Sequence, residues 1–410
     1  MPVVREIPNL RVVEREHSLP LDHAEPDGAR ITVFSREVAD PGGAEKPLLL
    51  FFEGGPGFEG PRPIRTSSSP PWLDRALADF RVLMLDQRGT GRSTPTPTRL
   101  PGSPEQQAGY LRHFRADSIV SDAEAIRREL GVERWSILGQ SFGGFCATRY
   151  LSAAPGSLRE VLITGGLPPL EAHVDDVYRA TFARMRERNE RFYDRYPDDR
   201  ERLLALLDRA IREPLVLPSG DPLTHGRVLQ LGHMLGMSDG IERLHYILEL
   251  DAASPAFLHD VEAATSFTRN PIYALLHEAC WANGGATNWS AQRMLAEQEG
   301  WPHEYMTGEH VFPWMFEAPS LAPLRDAAEL LASQEWPALY DRKALAANTV
   351  PCAAAVYADD PYVERAFSEQ TAAAVPELRL WVTNEYDHDG LRKDGERVLG
   401  RLLDLVRGRI

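Results

Sequence analysis

At 410 residues the chain is long enough for one large or two ordinary domains, and 43% apolar with 26% charged residues is the balance of a water-soluble globular protein. A formal charge of −15, from 45 basic and 60 acidic side chains, argues against a nucleic-acid partner, which calls for a basic patch. The longest apolar runs, such as PLLLFF at 47–52, are too short to cross a bilayer, so no membrane partner is expected.

The chain opens on MPVVREIPNLRVVERE, which has no apolar stretch of the kind a signal peptide carries. Its three cysteines, Cys146, Cys280 and Cys352, are odd in number and widely spaced, so no disulfide framework is expected and the expected compartment is the cytoplasm. Strand-like runs follow at 29–38, 46–54, 80–87 and 134–140. The last is preceded by 117–131, where Ile119, Val120, Ala123, Ile126 and Leu130 form a helical stripe and Gly131 takes the C′ position. A helix over 143–155 ends at Pro155, and 158–166 reads as another strand. Near-continuous apolar strands separated by helices predict a mostly parallel sheet covered on both faces.

From about 170 to 335 the strand signals stop, and charged helical patterns give way to aromatic-rich pieces such as NPIYALLHEACWANGG. This reads as an inserted helical cap over residues 171–335, within a core of 1–170 and 336–410. The α/β pattern resumes with a strand at 350–360, a helix in AFSEQTAAAVP, a strand at 377–387 and a closing helix at 395–409. No Cys/His cluster suited to a metal is present, and HEACW at 277–281 has Trp281 where a zinc ligand would be needed.

Within this frame, LGQSFGGF at 138–145 sets Ser141 between a strand and a helix, with Gly139 and Gly143 on either side. A nucleophile elbow requires that context, because the sharp turn leaves no room for neighbouring side chains. Acyl transfer also needs two donors for an oxyanion. The backbone N–H of Phe142 and that of Gly55 in FFEGGPGF, after the 46–52 strand, are the candidates. The base must be a histidine beyond the last strand, which selects His388 in NEYDHDG; His303 and His310 would break the Ser…Asp…His order. The orienting acid is Asp359 or Asp360 in YADDPYV, whereas Asp387 and Asp389 adjoin the histidine in sequence and should point away.

Taken together, GGPGF (54–58), DQRGTGRS (86–93), GQSFGGF (139–145) and NEYDHDGLR (384–392) resemble the proline iminopeptidases of the α/β-hydrolase fold, in their longer bacterial form. The likeness covers about 45–165 and 350–395, and the insert weakly. Glu53 departs from the histidine that shorter members carry before GGPG. Aligning YADDPYV on the family's strand-end pattern puts the acid at Asp360, with Asp359 as the alternative. The resemblance implies a serine exopeptidase acting on peptides with N-terminal proline, without cofactor or metal. In the family, cap glutamates hold the substrate's amine. Here Glu278 (LLHEACW) and Glu309 (MTGEHVF) are the candidates, because a carboxylate among apolar residues needs a cation or donors; Glu304 and Glu317 are rivals. Tyr273, Trp281, Phe312, Trp314 and Phe316 could wall a pyrrolidine pocket. A broader aminopeptidase, amidase or esterase, and a catalytically silent binding protein of the same fold, are the competing readings. A homo-oligomer is compatible with the sequence.

Overall fold

The computed structural model describes residues 2–66 and 69–410. One sheet holds nine strands in the order β1-β2-β3-β5-β4-β6-β7-β8-β9. They are β1 (Val3–Ile7), β2 (Leu10–Pro20), β3 (Arg30–Ala39), β4 (Leu48–Phe52), β5 (Arg81–Asp86), β6 (Trp135–Gln140), β7 (Leu158–Thr164), β8 (Cys352–Tyr357) and β9 (Leu378–Thr383). β1, β2 and β3 pair antiparallel, as do β3 and β5, and every pairing from β5 to β9 is parallel. The fold is therefore α/β, as the alternating pattern predicts.

Every residue of β4, β6 and β8 is buried, which is why these strands read as unbroken apolar runs. On one face, Leu77 of helix Leu73–Asp79 and Leu399, Leu402 and Leu403 of helix Gly395–Val406 join Phe51, Met84, Leu138 and Leu162. On the other, Ile119 and Ile126 of helix Ala116–Glu129 and Tyr150 of helix Phe142–Ala153 join Leu50, Ile137 and Ile163.

The hairpin β1–β2 was not expected from the sequence. Its second strand, LRVVEREHSLP, is dense in charge, and the charges are satisfied across the sheet. Glu14 accepts from Arg36 at 2.9 Å and from Arg92 at 3.0 Å, and Arg15 donates to Glu37 at 3.1 Å. Ion pairing between strands disguises the alternation that normally marks a strand.

Between β7 and β8 the chain adds no strand to the sheet and runs through helices, the longest being Val174–Arg195 and Asp198–Arg212. Part of this segment has its own apolar cluster, including Phe192, Leu203, Leu235 and Val261. Helix Pro271–Trp281 instead packs into the core beside the sheet through Ile272, Leu276 and Trp281. Among the described residues no helix is long and apolar enough to cross a membrane. The three cysteines are free and buried.

Candidate active site

β6 ends at Gln140 and helix Phe142–Ala153 begins at the next residue but one, so Ser141 alone turns the chain. It does so at φ +54°, ψ −124°, a conformation that costs a residue with a side chain on the order of 1–3 kcal/mol. The turn closes because its neighbours lack side chains. A Cβ on Gly139 would lie 2.4 Å from Gly143 O, and one on Gly143 would lie 2.1 Å from Phe52 O, both far inside contact distance. Backbone bonds pin the strained residue: Ser141 N–H donates to Thr164 O at 2.9 Å, and Ser141 O accepts from Gly144 at 2.7 Å.

The serine hydroxyl projects to His388, its Oγ 2.9 Å from Nε2, and His388 Nδ1 is 2.7 Å from Asp360 Oδ2. Asp360 is fixed in turn, because its Oδ1 accepts the N–H groups of Tyr362 at 2.9 Å and Val363 at 3.2 Å. Burial works against a charged imidazole, but the Asp360 carboxylate and its hydrogen bond outweigh burial and hold His388 above the ordinary histidine range. The neighbouring acids point elsewhere. Asp359 pairs with Arg191 at 2.9 Å, Asp387 with Arg188, and Asp389 accepts from Ser238 N at 3.0 Å. The two sequence alternatives for the acid thus have different partners, and Asp360 is the one on the histidine.

The loop after β4 abuts the serine, since a Cβ on Gly54 would sit 3.1 Å from Ser141 Cβ. Among the described residues, neither Gly55 N–H nor Phe142 N–H has a protein acceptor, so both are free to bind a developing anion beside helix Phe142–Ala153. Gly54 N–H is occupied: it donates to Glu53 Oε1 at 3.0 Å, and the same oxygen accepts from Arg392 at 3.0 Å. Glu53 therefore ties the loop to the segment that carries His388. DQRGTGRS is a structural brace. Gln87 donates to Glu53 O at 2.9 Å, Arg88 is buried in a two-bond pair with Asp122 at 2.7 and 2.6 Å, and Ser93 donates to Asp86 O at 2.6 Å.

A cavity of about 460 Å³ is lined by Phe58, His233, Tyr273 and Glu309 among others. Glu309 accepts from Tyr273 Oη at 2.5 Å and lies 3.6 Å from His277 Nε2, with its side chain 11% exposed. Burial opposes ionisation of Glu309, but its hydrogen bond and charge interaction with His277 prevail and hold its carboxyl well below the usual range. A charged carboxylate with a single short protein donor is poised for a cation.

Glu278 goes elsewhere, and the expectation that it faces a substrate amine is corrected. Its two oxygens accept Ser290 N–H at 3.1 Å and Ala291 N–H at 2.8 Å, at the start of helix Ser290–Ala296. Burial, opposed by those donors, pushes it up to about 7. The rivals are also accounted for: Glu304 is 3.8 Å from Arg200, and exposed Glu317 borders a separate cavity of about 570 Å³ together with Phe312 and Trp314. Of the proposed aromatic wall, only Tyr273 lines the cavity beside Glu309; Trp281 packs on Phe145 at 4.8 Å and Phe316 on Trp289 at 5.9 Å. Sequence reasoning missed Tyr362, whose ring meets His388 at 4.8 Å, and His233, whose ring stacks on Tyr362 at 5.2 Å. Tyr362 sits in the YADDPYV segment already singled out; His233 lies in no motif. Among the described residues no group of three His, Cys, Asp or Glu is placed to hold a metal.

The sheet order, the elbow at the end of β6 and the histidine after β9 define an α/β hydrolase. The model of the alpha/beta hydrolase fold matches residues 47–259. The proline iminopeptidase of Aeromonas sobria is 47% identical over 95% of this chain and 95% of its own, and one from Aspergillus aculeatus is 35% identical over 98% and 94%. Among solved structures, esterase E22 superposes with a TM-score of 0.50 over 96% of this chain and 100% of its own, at 14% identity, a likeness of fold alone. The chain belongs to the proline iminopeptidase family of α/β hydrolases.

Proposed function

We propose that this protein is a serine exopeptidase that releases N-terminal proline from peptides. The observation that carries the reading is Glu309, a carboxylate with one short donor, in a cavity whose His233 stacks on Tyr362, the residue that packs against His388. An exopeptidase must measure one residue from a free amine, and a fixed negative charge near the nucleophile does so. The family membership and the named activity of the relatives support the same substrate.

In this reading residues 171–335 act as a cap, and Glu309 from the cap pairs with the substrate's ammonium. His388 Nε2 takes the Ser141 proton as Oγ attacks the prolyl carbonyl, while Asp360 stabilises the imidazolium that forms. The N–H groups of Phe142 and Gly55 receive the oxyanion. His388 then protonates the leaving amine, and water, activated by the same histidine, hydrolyses the prolyl ester on Ser141. No step calls on a metal or cofactor. Peptides are the substrates, and three buried free thiols suit a cytoplasmic setting.

The test compares arylamides of proline, alanine and N-acetyl-proline. Rapid release from proline, slower release from alanine and loss on acetylation are expected. Equal rates for proline and alanine would make the protein a broader aminopeptidase. Undiminished hydrolysis of the acetylated substrate would remove the amine anchor and leave an amidase or esterase.

A further inference from the structure

His233 shares the cavity with Glu309 and Tyr273, and the reaction as described gives it nothing to do. It lies in the 3-10 turn Gln230–Gly236, which is fastened once to the segment carrying His388 and once to the segment carrying Asp360. Gly236 O accepts the backbone N–H of His388 at 3.1 Å, and His233 O accepts the Tyr362 hydroxyl. The His233 ring lies nearly parallel to that of Tyr362, at 14° and 5.2 Å, and Tyr362 meets the His388 ring edge-on at 4.8 Å. The imidazole is therefore held rigidly relative to the reacting groups.

Its ring nitrogens are unused. Among the described residues no hydrogen bond reaches either of them, unlike the two other histidines around Glu309. His277 Nδ1 is 3.3 Å from Tyr178 Oη, while His310 is 2.9 Å from Thr181 Oγ1 and accepts from Gly308 N–H at 3.1 Å. Burial, against the pull of the Glu309 charge, holds His233 below the ordinary histidine range, so at neutral pH it presents one nitrogen with a free lone pair. A protonated N-terminal proline carries two N–H bonds that diverge tetrahedrally. Glu309 Oε1 is already engaged by Tyr273. One carboxylate so placed meets one of the two donors well, and the other needs an acceptor on a different side of the cavity.

We propose that His233 is that second acceptor, a specificity-determining residue that reads the secondary ammonium of N-terminal proline jointly with Glu309. The inference rests on the exopeptidase reading above. It extends that reading by assigning the discrimination to two groups on separate elements of the cap segment.

The experiment uses the full chain and two substrates of nearly identical shape, prolyl arylamide and tetrahydrofuran-2-carbonyl arylamide, whose ring oxygen replaces the N–H₂⁺. For His233→Ala, kcat/KM on the prolyl substrate should fall about 10- to 100-fold, the range of a hydrogen bond to a charged group, with the oxygen analogue changed less than threefold. His233→Asn and His233→Gln restore an acceptor, and at least one should recover most of the loss. They also provide folded comparators should the alanine variant be unstable. Equal losses on both substrates, or no loss on the prolyl one in any variant, overturn the inference and leave His233 a packing residue. Failure of the wild-type protein to prefer the prolyl substrate overturns the exopeptidase reading as well, and shows before any variant is made.

Discussion

Replacing Glu309 by glutamine keeps the shape of the side chain and an oxygen for the Tyr273 hydroxyl, and deletes one negative charge. Two unit charges 4 Å apart attract by about 4 kcal/mol at the effective dielectric of about 20 suited to such sites. The amide oxygen still accepts a hydrogen bond, which returns part of that, so a net loss of about 3–4 kcal/mol, or 10²- to 10³-fold, is expected in kcat/KM for prolyl arylamide. The neutral oxygen analogue should be hydrolysed within threefold of the wild-type rate. Stability should change far less than activity: the fold holds the Glu309 carboxyl below its usual range, so its charge contributes to stability and the amide should lower Tm modestly. Steady-state kinetics on both substrates with a thermal melt decides the matter. Prolyl activity within threefold of wild type, or equal losses on both substrates with a large fall in Tm, would refute the assignment of Glu309 to the amine.

Asp360→Asn should lower kcat by about 10³-fold or more, because the imidazolium loses its partner. His388 must be neutral to act and its folded value is raised, so wild-type kcat/KM should fall as pH drops through a value above about 6.5; in Asp360→Asn that midpoint should move to lower pH. Gly143→Ala brings a Cβ to 2.1 Å from Phe52 O, so the helix must retreat by about 1 Å, enough for roughly a 10²-fold loss of kcat measured on folded protein. Glu278→Gln should leave prolyl kcat/KM within threefold. Glu278 is raised to about 7 in the fold, so the native state holds a proton that the unfolded chain has lost, and wild-type stability should decline from about pH 4.5 to about 7. Denaturant melts of Glu278→Gln across that window should show a flatter profile.

The strands that bury both faces were plain in the sequence, because two-sided burial leaves no alternation to misread. The elbow was equally plain: Gly139 and Gly143 are demanded by contacts with backbone that cannot move. The hairpin strand β2 was not legible, because Glu14 and Arg15 look like solvent-facing residues until Arg36 and Glu37 are found opposite them. Glu278 and Glu309 look alike in sequence, each a glutamate among aromatic and apolar neighbours. Tertiary structure separates them, since one caps a helix that begins twelve residues later and the other enters a cavity with Tyr273 and His233. Nothing local marks His233, which depends on Gly236 and Tyr362, the latter 129 residues away, for its position.

The central claim is that Ser141 attacks the first carbonyl of a peptide beginning with proline. Its most direct measurement is hydrolysis of prolyl arylamide by wild type and Ser141→Ala, purified in parallel and matched by thermal melt. The expected result is a loss of about 10³-fold or more in kcat in a variant that melts like wild type. A Ser141→Ala protein that keeps more than a tenth of wild-type kcat would contradict the account.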